Sequence, residues 1–483
     1  MVSQGDSRIL AAIAIIALIM LAGFAALYSS VSSLEDRYAQ VAEGLDRVSS
    51  QVDSLSRDLE RVRAGVTVLA SLQEELDSLG QRLSYIEAAL DDVASAGDLE
   101  SLAREISSIR VELETLKAQV EQLGVSSGEI SSAIASLEER LVELENRVSE
   151  LEDSILFPVV VVDGTGDDVV ILEKPERIVS MAPSVTELIF YLGVLDRLVG
   201  VDKYSDWPPI VVEMREAGEL ANIGGFYTPS IEAILELQPD LVVGVASAPP
   251  HIEAKRILEG YGIPVILLPN SSIYDVAESA VILGRATGEL IKGYEISIAI
   301  KMAAGYAIDL SRGLEEIPGV AIVWINPLFV VGSATWQHEI LDIAGIENVY
   351  GDLEGWPMVS AESLLERAPS IIIMTGHNYG LTPEDLISYL EEQLGDAVQE
   401  IPAIAEGKIY MLGGDYGNIF NRPSPRTVLA IYVLLVVAHP DAFGVDPSSL
   451  PSIITPDNFN VIEILGDRIP PEVKAFLEVA LSP

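Results

Sequence analysis

Apolar residues recur at alternating intervals of three and four from Val31 onward, through Leu34, Tyr38, Val41, Leu45 and Val48 to Leu69. The phase slips before Leu72, resumes from Leu76 to Val93, breaks at Ala96-Gly97-Asp98, and then runs from Leu99 to Ile155. With Glu, Asp, Arg and Ser between the apolar positions, this is a heptad seam with polar outer faces, and it predicts a coiled coil over residues 31–155. A lone solvated helix would leave the stripe in water. A parallel oligomer, about 185 Å long at ~1.5 Å per residue, is the expectation. The other architecture that satisfies the seam is a hairpin turning at Gly97-Asp98, which would pair residues 31–94 with 99–155. Gly124 and Gly128 mark a weaker interruption.

Upstream, Ile9 to Tyr28 is an uncharged apolar run of 20 residues, long enough to cross a bilayer as a helix. Arg8 precedes it and Glu35 and Asp36 follow, so residues 1–8 are expected in the cytoplasm and everything after residue 28 outside. The length of the run favours an uncleaved anchor over a signal peptide, and there is no cysteine for a lipoprotein anchor. The expected location is therefore the cell membrane, with a single pass.

The period changes at Pro158. VVVVDGTGDDVVIL reads as a hairpin around a Gly- and Asp-rich turn, with Asp163, Asp167 and Asp168 in a plain turn rather than a calcium loop. Short β runs then alternate with helical stretches: RIVSM, Val185–Leu192, LVGV, Ile231–Leu237, DLVVGV, Ile252–Tyr261 and PVILL. A long helical stretch over 273–312 follows, and the alternation restarts with GVAIVWI and SIIIMTG. The fold class is α/β, two parallel α/β lobes at 158–272 and 313–440 joined by one long helix, with an extension over 441–483. Ligands in such sheets bind beyond the carboxyl ends of the strands, so two facing lobes make a cleft.

Composition supports the boundary. All 26 prolines, four tryptophans and four histidines lie at or after Pro158. A formal charge of -45 and the lack of a basic patch argue against a nucleic-acid partner. The absence of cysteine excludes disulfides and thiolate sites. His251, His338, His377 and His439 show no metal-ligand spacing, and no nucleophile elbow, Walker loop or GxGxxG is present, so neither a metal centre nor an enzyme is expected.

The segments PERIVSMAPSVTELIFYLGVLDRLVGVDKYSDWPP, SIEAILELQPDLVVG, INPLFVVGSATWQHEILDIAGIENVYGDLEGWPMVSAESLLERAPSIIIMTG and NRPSPRTVLAI resemble the substrate-binding proteins that serve ABC importers of vitamin B12, ferric siderophores and haem. The resemblance spans about residues 158–440 and is strongest to the cobalamin binders. It implies a class III periplasmic-binding-protein-like fold, in which a rigid helix joins the lobes. The small-molecule ligand it implies is a corrinoid, with ferric siderophore or haem as alternatives. No resident cofactor is expected.

By resemblance, Tyr204, Trp207, Phe226, Phe329 and Trp356 fall where cobalamin binders place pocket aromatics, and Asn418, Phe420, Asn421 and Arg422 fall on a ligand-contacting loop. Phe226 stands where the cobalamin-binding relative carries Trp, and Asn421 where it carries an acidic residue. Trp324, inside a strand, is expected in the core. Aromatic faces with a few polar groups suit a large, mostly neutral macrocycle. The resemblance also makes Glu232 and Glu362 the residues that dock on an ABC permease, although both start helices, where the dipole favours a carboxylate in any case. The expected partners are thus that permease, the ligand, the membrane through the N-terminal helix, and further copies of the chain through the coiled coil. A structural or adhesive surface protein that reuses the binding fold on a stalk is the alternative from another class.

Overall fold

The computed structural model describes residues 71–90, 93, 95–122, 128–152, 156–376 and 380–481. The anchor run 9–28, the seam over 31–70 and His377 lie outside them. The chain divides into Met1–Asp77, of which residues 71–77 are described and helical, and Ser78–Pro483. The second unit holds the helical segment from residue 78 and both lobes.

Its first part overturns the expected rod. Residues 78–90 form α1, Ala96–Gln122 form α2 and Gly128–Leu151 form α3. The seam residues Leu79, Leu83, Ile86, Leu99, Ile106, Ile109, Leu113, Leu137, Leu141 and Val148 are all buried within this one chain. Ion pairs fix an up-down-up bundle. Arg82 reaches Glu105 and Glu112 at 2.6 and 2.5 Å, Lys117 reaches Glu138 at 2.7 Å, and Arg140 reaches Glu87 at 2.8 Å. The first reversal precedes the Gly97-Asp98 break because Ser95 caps α2, its Oγ accepting from the Asp98 amide at 3.2 Å and donating to the Asp98 carboxylate at 2.7 Å. Helix α2 ends at Gln122 and α3 begins at Gly128, the second glycine of the weaker interruption. A heptad pattern specifies a buried stripe and leaves open which chain covers it. Among the described residues, no helix is long and apolar enough to cross a membrane.

The head opens with an antiparallel hairpin, β1 (Val159–Val162) and β2 (Asp168–Ile171). Its turn is seated on the first lobe. Asp163 accepts from Lys255 Nζ at 2.6 Å and from the Leu267 amide at 3.1 Å, and Gly164 N–H donates to the Leu267 carbonyl at 2.6 Å. A Cβ on Gly164 would stand 2.6 Å from Pro269 N, so only glycine permits this approach. Burial opposes the Asp163 charge, but the bonds from Lys255, Thr165 and the Leu267 amide hold its carboxyl below the usual range. Asp163→Ala should therefore cost about 2 kcal/mol, with Asp167, 3.1 Å from Lys255, retained as a partial partner. A urea midpoint equal to that of the parent would show the pair to be unimportant.

Lobe 1 is a parallel sheet in the order β5-β4-β3-β8-β9: β3 (Ile178–Ser180), β4 (Leu198–Val201), β5 (Ala221–Asn222), β8 (Leu241–Val245) and β9 (Val265–Leu268). The short hairpin β6 (Gly224–Gly225) and β7 (Thr228–Pro229) follows β5. Every residue of β3, β8 and β9 is buried, as a parallel sheet covered on both faces requires. The covering helices are α4 (Pro183–Leu192), α5 (Pro209–Glu216), α6 (Ile231–Glu236) and α7 (Pro249–Glu259).

The stretch expected as one helix over 273–312 is two. α8 (Ile273–Thr287) ends at Gly288, left-handed at φ 72°, and α9 (Leu290–Ser311) turns back on it. Gly284 and Gly293 let the two backbones meet; a Cβ on Gly284 would stand 2.9 Å from Gly293 Cα. α9 is the spine between the lobes. It packs on α4 of lobe 1 and on α10 (Trp336–Ile343) and α15 (Val428–Ala438) of lobe 2. Its other contacts are α2 of the bundle and the C-terminal α17 (Pro471–Leu481).

Lobe 2 runs β11-β10-β13-β14-β15, with β12 also on β10: β10 (Ile317–Ile325), β11 (Leu328–Val330), β12 (Ile346–Asn348), β13 (Ile371–Met374), β14 (Ile409–Leu412) and β15 (Ile453–Ile454). Only β11 is antiparallel. Around it lie α11 (Ala361–Arg367), α12 (Pro383–Leu394), α13 (Pro402–Ala405), α14 (Asp415–Asn421) and α16 (Val461–Leu465). The C-terminal extension thus supplies β15 to this sheet and α17 to the spine.

Candidate functional site

The loops at the carboxyl ends of the strands build the candidate site. After β4, buried Asp202 accepts from Ser205 Oγ at 2.6 Å and from the Tyr204 amide at 3.0 Å, which holds Tyr204 outward, 43% exposed. Burial pushes the Asp202 carboxyl up despite these bonds. Lys203 Nζ sits 4.6 Å from the centre of the Tyr204 ring. Phe226 and exposed Tyr227 form the tip of the β6–β7 hairpin. On lobe 2, Trp324 and Phe329 stand opposite each other on β10 and β11, and Phe329 bridges to exposed Met358. Trp356 lies edge-on to Trp336 at 5.4 Å and donates through Nε1 to Gln337 Oε1 at 2.8 Å.

Arg422, just beyond α14, ties the lobes together. Its guanidinium donates to Glu187 of α4 at 2.9 Å, to Asp206 at 2.6 Å and to the Tyr204 carbonyl at 3.3 Å. Burial opposes its charge, but Glu187 and Asp206 outweigh that and hold the group above its ordinary value. Asn421 is exposed and Asn418 half-buried, both on α14.

Two expected contacts are corrected. Trp207 is 4% exposed, stacked on Tyr191 at 5.8 Å and covered by the Arg426 guanidinium at 4.1 Å. Phe420 is fully buried, on the inner face of α14. Both fill the core and present no face to the cleft: the Pro-rich loop turns Trp207 inward, and Phe420 lies on the buried side of a helix rather than on a loop. The reverse holds for Trp324. It is 39% exposed, its Nε1 bonded to the Asn326 carbonyl at 3.0 Å, and is not in the core. Glu232 and Glu362 are exposed in the first turns of α6 and α11. The backbone amide and Ser360 hold the Glu362 carboxyl below the usual range.

Sequence reasoning missed three supports. Glu187 was readable as a lone charge in the apolar run VTELIF. Gln337 carried no signal. His251 is buried, accepts from the Val245 amide through Nδ1 at 3.1 Å, and donates from Nε2 to the Phe226 carbonyl at 2.9 Å, which pins the hairpin tip. Burial pushes this imidazole down to about 4. A base whose folded pKa lies below its unfolded value of 6.5 contributes its stability fully above that value. The contribution fades as pH falls toward 4. The loss should be about 2–3 kcal/mol, and melting curves of the parent and His251→Gln between pH 7 and 4.5 check it; parallel pH slopes would remove His251 from the account. Among the described residues, no group of three or more His, Asp or Glu is placed to hold a metal ion.

Residues 178–416 match the model of the family described as periplasmic binding protein. The fold is that of the class III members, whose lobes are joined by a helix. Over 260 residues the chain is 26% identical to the vitamin B12-binding protein of Vibrio parahaemolyticus, covering 54% of this chain and 88% of that one. Over 296 residues it is 25% identical to YvrC of Bacillus subtilis, an uncharacterized ABC transporter substrate-binding lipoprotein, covering 60% and 88%. The solved structure of Helicobacter pylori CeuE, a Ni-His complex, superposes with a TM-score of 0.51 at 22% identity, over 66% of this chain and 99% of that one. Periplasmic binding proteins are non-enzymatic components of transport.

Proposed function

We propose that the chain is a membrane-anchored solute-binding protein that captures a corrinoid between its lobes and delivers it to an ABC permease. The observation that carries the ligand class is the state of the arginines beside the cleft. Arg422 is committed to Glu187 and Asp206, and Arg426 to Glu187 and Asp415, so neither arginine is free for an anionic ligand, and apart from Lys203 at the Tyr204 ring the site residues are mainly aromatic rings and amides. A haem dicarboxylate or an anionic ferric siderophore calls for positive partners. A large neutral macrocycle calls for flat apolar faces and amide hydrogen bonds, which Tyr204, Phe226, Phe329, Trp356 and Asn421 supply.

The anchor is the run 9–28, with the binding lobes outside the cell, and Glu232 and Glu362 are the docking carboxylates. The structural-protein alternative drew on a rod that would hold the head far from a permease. Helix α2 of that segment instead packs on α9, while α6 and α11 pack within their own lobes.

Calorimetric titration of the full chain with cyanocobalamin, haem and a ferric catecholate tests the ligand. Saturable binding of the corrinoid alone is expected; haem or siderophore binding would change the cargo, and silence toward all three would favour the structural protein. Glu232→Lys with Glu362→Lys should abolish uptake in cells and leave affinity unchanged. A loss of affinity would remove these residues from docking.

A further inference from the structure

Gln337, the second residue of α10, is 2% exposed and bonded to two site residues. Trp356 Nε1 donates to its Oε1 at 2.8 Å, and its Nε2 donates to Asn421 Oδ1 at 3.2 Å. An indole N–H can only donate, so Trp356 fixes which end of the Gln337 amide faces it. Gln337 then has only N–H to offer Asn421. Asn421 must accept through Oδ1, which leaves its Nδ2 as a donor not used by Gln337, on an exposed residue for which the described residues show no acceptor. The neighbouring residues hold the register. Trp336, next to Gln337, donates from Nε1 to the carbonyl of Phe420, next to Asn421, at 2.9 Å.

We propose that Gln337 is a positioning residue whose relay from Trp356 sets the hydrogen-bond polarity of Asn421. Lobe 2 thereby meets its ligand with an N–H donor and selects a hydrogen-bond acceptor there, a carboxamide carbonyl or a carboxylate. This rests on the reading of the interlobe cleft as the ligand site.

The full chain labelled with 15N-tryptophan gives four indole signals, one for each tryptophan. Trp356→Phe identifies the Trp356 signal by its loss, and Gln337→Leu is expected to move that signal. Asn421→Ala is expected to move that same signal through the relay. A Trp356 signal that Gln337→Leu moves and Asn421→Ala leaves in place overturns the proposal. In the ligand arm, calorimetry compares cyanocobalamin with its monocarboxylate derivatives, in which one side-chain amide becomes acceptor-only. The parent should bind at least one derivative as tightly as cyanocobalamin. Asn421→Asp, which offers no donor, should weaken that derivative about 3–10-fold relative to cyanocobalamin. Gln337→Glu, which still accepts from Trp356 but cannot donate to Asn421, should do the same, and an unchanged preference in both variants overturns the selectivity. If no corrinoid binds the parent, the ligand class falls while the indole signals still decide the relay.

Discussion

Glu187→Ala is expected to lower the stability of the chain by about 3–5 kcal/mol, measured as the free energy of urea unfolding. Glu187 is 0% exposed on α4, and three groups converge on its carboxylate from the segment beyond α14: Arg422 at 2.9 Å, Arg426 at 3.5 Å and Ser424 Oγ at 2.5 Å. Arg426 is itself completely buried. Once Glu187 is gone, the Arg426 guanidinium keeps the Ala480 carbonyl, the face of Trp207 and one countercharge, the partly exposed Asp415 at 3.2 Å. Most of the cost is this buried, under-compensated cation rather than the attraction lost, so Glu187→Ala with Arg426→Met should recover part of it. Arg422, paired also with half-exposed Asp206, should contribute less. A single-variant loss below about 1 kcal/mol would mean that the lobes are not joined through this network.

The same network shows where sequence reasoning stops. The strands of both lobes were legible because fully buried parallel strands are continuous runs of Val, Ile and Leu, as LVVGV and IIIM are. The break between α8 and α9 was present in the sequence as Gly288, but it lies inside a stretch with helical composition on either side. Side-chain direction was not legible. Trp207 and Tyr204 share one loop, and one is core while the other is 43% exposed. The difference arises from what meets them: a local turn at Asp202 holds Tyr204 outward, whereas the Arg426 guanidinium that covers Trp207 arrives from more than 200 residues away, in packing that no local pattern encodes. Gln337 is the extreme case, an uncharged residue whose role exists only because Trp356 and Asn421 converge on it.

Combining Ala103→Leu, Ser107→Leu and Arg110→Glu should cost about 4 kcal/mol and speed amide exchange along α9. All three residues lie off the apolar seam of α2, which runs through Leu99, Leu102, Ile106, Ile109 and Leu113. In a coiled coil standing free of the head they would belong to the outer face, where such changes alter stability by about 0.5 kcal/mol or less. In the folded chain that face is covered. Ala103 and Ser107 are both 0% exposed, Ser107 Oγ donates to the Ile291 carbonyl at 3.0 Å, and Arg110 pairs with Glu295 of α9 at 3.0 Å. Glu100 with Arg285, and Arg104 over the Tyr294 ring, extend the contact. Two leucines would overpack a junction built from small residues, and a glutamate at 110 would face Glu145 and Glu295 without its counterion. Unfolding and exchange both unchanged would mean that the bundle does not hold the interlobe helix. The expected loss would make it a brace on the spine that joins the lobes, not a spacer.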